Sequence, residues 1–90
     1  MTLEIPREVA RQLAGFPKKD REMVTDALKK VAADLNFRQP FVTEVKGRPG
    51  LWRARKGDWR AYYRIVGSDV VVEWACHKKD SDRWLQSQKP

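Results

Sequence analysis

Two hydrophobic periods divide the chain. From Val9 to Leu35 the apolar residues recur at helical spacing: Val9, Leu13 and Phe16 form one stripe, and Val24, Leu28, Val31 and Leu35 form a second at i, i+4, i+7 and i+11. Ala27 and Ala32 flank the second stripe. The first stripe predicts a helix that opens at Pro6, whose missing N–H costs nothing in a first turn, and closes between Gly15 and Pro17. The second predicts a helix from Lys18 or Lys19 to about Asn36, joined to the first by a short connection and so antiparallel to it. Thr2–Ile5 suits a short strand, and Gln39–Pro40 breaks the helical pattern.

After Pro40 the period becomes 2. Phe41–Lys46 reads as a strand, followed by a turn over Gly47–Gly50. Leu51–Lys56 and Trp59–Val66 pair about Gly57–Asp58, and Gly67–Ser68 turns the chain into the valine-rich strand Asp69–Cys76. A short helix over Asp80–Gln88 is a weaker expectation. No repeat, low-complexity tract or linker is visible, so residues 1–90 are expected to form one domain. Helices followed by an antiparallel meander spell an α+β fold, in which an N-terminal helical hairpin covers one face of a small, mainly antiparallel twisted sheet. That covered face should hold Trp52, Trp59, Ala61, Tyr63, Ile65 and, by parity, Val70, Val72, Trp74 and Cys76.

Charge sharpens the picture. Residues 1–45 carry 8 Lys+Arg against 7 Asp+Glu, whereas residues 46–90 carry 11 against 5, so nearly all of the +7 net charge lies in the predicted strands and tail. Such an excess concentrates a polyanionic partner. The basic residues lie on strands, not on an amphipathic helix, which argues for nucleic acid over a membrane surface. No apolar run is long enough to span a bilayer, and Met1–Pro6 has neither the basic region nor the apolar core of a signal peptide. A single cysteine, Cys76, suits a reducing cytoplasm, and one Cys with one His cannot make a four-ligand metal site. Neither a metal nor another cofactor is expected.

Strand parity puts Arg53, Arg55, Arg60, Tyr62 and Arg64 on the face away from the helices. The same parity in the last strand sends Glu73 and His77 to that face, with Lys78, Lys79 and Arg83 at its edge. This is a set of groups that could cleave RNA. A 2′-OH that loses its proton can attack the adjacent phosphate, and cations must then stabilise the extra charge of the phosphorane. Arg53, Arg55 and Arg60 form the natural phosphate clamp, since a guanidinium fork matches phosphate oxygens. His77 titrates in the useful range and could serve as acid or base. Glu73 could orient it, act as a base itself, or hold Arg60 or Arg64 as an ion-pair partner. Tyr62 and Trp84 are candidates to stack on splayed bases, though Trp84 could equally pack the tail onto the sheet. Arg48, Arg64, Lys78 and Arg83 complete the candidate RNA-binding set.

The stretch Lys46-Gly-Arg-Pro-Gly-Leu-Trp-Arg-Ala-Arg-Lys-Gly-Asp-Trp-Arg-Ala-Tyr-Tyr-Arg64, its position after two helices, and the ending His77-Lys78-Lys79-Asp80 with Trp84 resemble the RelE/ParE superfamily of toxin–antitoxin toxins. The resemblance covers the whole chain and implies a RelE-like fold. It implies a catalytic set of Arg53, Arg55, Arg60, His77 and Lys79, to which strand parity adds Glu73, with Trp84 near a tyrosine that family members use for stacking or proton transfer. Trp84 departs from that pattern, because an indole has no proton to exchange near neutral pH. The implied activity is endoribonucleolytic cleavage of mRNA, on the ribosome or free, with translation inhibition and growth arrest as the result. The implied partners are mRNA, the ribosome and an acidic antitoxin with a DNA-binding half, in a cytoplasmic setting. Two alternatives stay open: a ParE-type toxin that inhibits DNA gyrase by binding, and an RNA-binding module that does not cut.

Overall fold

The computed structural model describes residues 2–37 and 41–88. The break expected at Gln39–Pro40 lies outside the described residues. In chain order the elements are β1 (Leu3–Glu4), α1 (Arg7–Ala14), α2 (Lys18–Ala33), β2 (Val42–Glu44), β3 (Trp52–Lys56), β4 (Trp59–Val66), β5 (Asp69–His77) and α3 (Lys78–Ser87). The five strands form one sheet in the order β1-β5-β4-β3-β2, antiparallel except for the β1–β5 pair. This is the expected α+β architecture with two N-terminal helices. No described helix is long and apolar enough to cross a membrane.

Local chemistry sets the boundaries. Pro6 and Pro17 each precede the first residue of a helix. α2 stops three residues short of the expected Asn36, because the Asp34 backbone turns extended and its carboxylate accepts the Asn36 N–H at 3.0 Å. Leu35 still reaches the core from beyond the helix end. The two tight hairpins, β3–β4 and β4–β5, each begin their two-residue loop with a glycine at positive φ, Gly57 at 57° and Gly67 at 62°. β1 pairs only with Val70 and Val71, and the edge is pinned where the Thr2 hydroxyl donates to Asp69 Oδ1 at 2.6 Å. Farther along β5, Gln12 of α1 accepts the Ala75 N–H at 2.9 Å.

A β-bulge decides which side chains share a face. Tyr62 lies opposite Trp74, but the next residue, Tyr63, lies opposite Val72, so Glu73 is the extra residue on β5. Strand parity reverses there. Val70 and Val72 face the helices, and after the bulge so does Ala75; all three are in the main core with Val9, Leu13, Val24, Leu28 and Val31. Trp74 and Cys76, expected in that core, instead face the other way and pack in a second cluster with Val45, Leu51, Tyr62, Trp84 and Leu85.

The second cluster corrects another expectation. The face away from α1 and α2 is not wholly open, because α3 folds across one end of it. That helix starts at Lys78, two residues before the expected Asp80, and buries Trp84 against Tyr62 with ring centroids 4.8 Å apart. Trp74 stacks nearly parallel to Trp84, 5.9 Å between centroids. Tyr62 is fully buried and Trp84 only 8% exposed, so neither is free to stack on a base as the sequence suggested.

Candidate nucleic-acid interface

The β3–β4 hairpin places three guanidiniums side by side. Arg55 lies directly opposite Arg60, Arg53 lies opposite Tyr62, and Arg60 in turn lies opposite Cys76. Among the described residues none of the three forms an ion pair with a carboxylate. Arg60 spends one N–H on the Gly57 carbonyl at 3.0 Å, and Arg53 has only a 3.5 Å contact with the Thr43 hydroxyl. Burial holds the Arg60 guanidinium below its ordinary pKa. Arg53 and, less strongly, Arg55 lower it further, opposed by Tyr62 and Asp58. These three cations are therefore crowded by their own kind, which an incoming anion would relieve.

Four other candidate basic residues, Arg64, Arg83, Lys78 and Arg48, are already engaged. Arg64 Nε donates to Glu73 Oε1 at 2.9 Å, so the bulge carboxylate holds an arginine and is not free beside the cluster. Arg83 pairs with Asp80 at 2.8 Å on α3, and Lys78 pairs with Asp58 at 3.3 Å. Arg48 donates to the carbonyls of Leu85 (2.6 Å) and Gln88, anchoring the C-terminal end of α3.

His77 is the main correction. Lying past the bulge and opposite Trp59, it faces the helix side of the sheet, not the arginine side. Its ring meets Trp59 edge-on at 5.0 Å, and Trp59 in turn rests on Phe16 at 4.6 Å. Nδ1 accepts the Lys79 N–H at 3.1 Å, making His77 the N-cap of α3, and Nε2 lies 3.8 Å from Asp58 Oδ2. Lys79 lies with it on a shallow cleft of about 340 Å³ shared with Gln12, Phe16 and Trp59. The structure thus brings Arg53, Arg55 and Arg60 together and leaves His77 and Lys79 outside that group.

No protein-family model matches the sequence, and no curated protein matches it. Solved structures do. A chain of the RelB–RelE antitoxin–toxin complex of Methanococcus jannaschii is similar over 93% of this chain and 98% of its own, with a TM-score of 0.72 at 15% identity. A mutant of the E. coli toxin RelE in the free state covers 93% and 90%, with a TM-score of 0.73 at 14% identity. The RelE–RelB complex of Pyrococcus horikoshii covers 86% and 93%, with a TM-score of 0.67 at 21% identity. The chain has the RelE fold.

On this RelE-like scaffold two polar atoms stand out that sequence reasoning did not single out. Arg53 Nε and Tyr62 Oη are both buried with no hydrogen-bond partner among the described residues, and their residues face each other across β3 and β4. Cys76 was also misplaced: it faces the arginine side and lines an apolar hollow of about 410 Å³ with Trp74, Asp80 and Trp84. Burial pushes its thiol up from the ordinary cysteine value, with Asp80 adding to that, while the Ser81 hydroxyl 3.6 Å away and Arg60 pull the other way. The bulge carries little sequence signal of its own. Glu73, directly after Val70-Val71-Val72, fits unbroken alternation as well as it fits a bulge.

Proposed function

We propose that this chain is the toxin of a toxin–antitoxin pair and that its arginine face acts on the phosphates of RNA. The observation that carries the reading is the group of three guanidiniums, Arg53, Arg55 and Arg60, with no carboxylate paired to any of them among the described residues. The RelE fold supports it, and so do the RelB partners of two of the similar structures, which suggest an antitoxin as the protein partner here. The reaction is attack of a ribose 2′-oxygen on the adjacent phosphorus. The 2′-hydroxyl gives up its proton to solvent water, the bond to the 5′-oxygen breaks, and that oxygen takes up a proton from water, leaving a 2′,3′-cyclic phosphate and a 5′-hydroxyl. The three arginines hold the phosphate oxygens and stabilise the phosphorane charge; one such donor typically contributes about 10²–10³ in rate. mRNA, free or on the ribosome, is the substrate class.

A second reading rests on a specific observation. With His77 on the helix side, Glu73 committed to Arg64, and Asp58, the carboxylate that acts on Arg60, paired to Lys78, no imidazole or free carboxylate stands beside the arginines among the described residues. The same face could therefore bind without cutting, as a toxin that blocks its target. Induced expression followed by mapping of transcript 5′ ends separates the two. The nuclease reading expects growth arrest with new 5′-hydroxyl ends, both relieved by Arg60→Gln. Arrest with intact transcripts and a DNA-damage response would transfer the case to the binding toxin, and absence of arrest would remove the toxin reading altogether.

A further inference from the structure

A buried donor with no partner is costly, and two of them opposite each other on neighbouring strands call for a shared explanation. Tyr62 Oη and Arg53 Nε are such a pair. Their backbones are fixed by the strand register, and the Tyr62 ring is clamped against Trp84. Arg60, whose guanidinium feels both Arg53 and Tyr62, is their neighbour, and Arg55 lies opposite it across the hairpin; the mutual repulsion of these cations gives them reason to part around an anion. We infer that Tyr62 Oη and Arg53 Nε are the inner donors of the phosphate site, taking oxygens of an RNA phosphodiester once Arg55 and Arg60 open to admit it. Tyr62 is thus a phosphate-binding residue through its hydroxyl, not a base-stacking residue through its ring. This rests on the RNA reading above and specifies its inner contacts.

The inference makes Tyr62→Phe unusual. Removing an unsatisfied buried hydroxyl should leave the melting temperature unchanged or raise it, whereas removing a bonded one lowers it. A hydrogen bond to a charged oxygen should be missed in binding by about tenfold or more. The assay is fluorescence anisotropy with a 2′-O-methylated, uncleavable RNA hexamer across a salt series, alongside thermal melts of the same proteins. Tyr62→Phe should weaken binding about tenfold at every salt concentration with the slope unchanged, because no cation is lost. Arg60→Gln should weaken binding and also flatten the logarithmic salt slope by about 0.7, the value of one single-strand phosphate contact. If Tyr62→Phe binds like the parent and melts lower, the hydroxyl is satisfied inside the fold and the inference fails alone. If Arg60→Gln changes neither affinity nor slope, the RNA reading itself fails.

Discussion

Replacing Arg60 with glutamine should weaken the proposed nuclease while relieving the free fold of a strain that salt can reveal. Arg60 has Arg55 directly across the hairpin and Arg53 one diagonal step away. Like charges at such cross-strand positions cost about 0.2–1 kcal/mol each. Partial burial adds to the cost of keeping this guanidinium charged. Against this gain, the mutant loses the exposed hydrogen bond to Gly57, which is worth about 0.5–1.5 kcal/mol at most. The two effects nearly cancel at low ionic strength, so the absolute melting temperature is a poor readout. Salt separates them: near 1 M the Debye length falls to about 3 Å and the repulsion is screened, but the lost hydrogen bond is not. The parent should therefore gain on the mutant by about 4–8 °C between 20 mM and 1 M salt, the equivalent of about 1 kcal/mol in a domain of this size. In single-turnover cleavage of a short RNA, the mutant should be slower by about 10²–10³. A melting difference that ignores salt would show that the three guanidiniums do not repel one another. A cleavage loss below tenfold would show that Arg60 does not hold the reacting phosphate.

Three other substitutions probe residues whose roles the fold reassigns. His77→Ala should cost about 0.5–2 kcal/mol by removing the α3 cap, and His77→Asn should restore most of it; cleavage should stay within tenfold in both, whereas a loss of about 10²–10⁴ in both would return His77 to acid–base duty. Arg48→Met should speed amide exchange in the last turn of α3, by freeing the Leu85 and Gln88 carbonyls, and leave the salt slope of RNA binding unchanged; a flatter slope would mark Arg48 as a phosphate contact. For Cys76 the folded thiol titrates above its unfolded value. Its contribution to stability is therefore fully present below the unfolded value and is lost as pH rises through the folded one. In denaturant titrations the stability gap between the parent and Cys76→Ala should narrow above about pH 8.5, and a gap constant to pH 10.5 would contradict the burial of the thiol.

Much of the fold was legible because its signals are local. The two apolar stripes, the prolines ahead of α1 and α2, and the glycines heading the β3–β4 and β4–β5 loops depend only on near neighbours, and the β3–β4 register followed from them. The face shared by Arg53, Arg55, Arg60, Tyr62 and Arg64 came from the same alternation. Two things were not local. The end of α2 was set by an extended Asp34 where the apolar period ran on to Leu35. The role of Arg48 depended on a helix some 40 residues away in sequence, which no pattern near Arg48 announces.

The single residue inserted at Glu73 had the widest consequence. Before the bulge, alternation assigns faces correctly; after it, each assignment in β5 is reversed, so Trp74 and Cys76 exchange sides with Ala75 and His77. The exchange is energetically coherent. It brings Trp74 to the side where Trp84 stacks on it, which is what lets α3 dock, and it sends His77 to the position where it caps that same helix. Restoring simple alternation would uncover Trp84 and leave α3 without either its apolar seat or its N-cap. The bulge therefore trades the imidazole on the arginine side for an aromatic wall beside it. The proposed phosphate site accordingly relies on its guanidiniums and on the hydroxyl of Tyr62, whose ring packs against Trp84 of that wall.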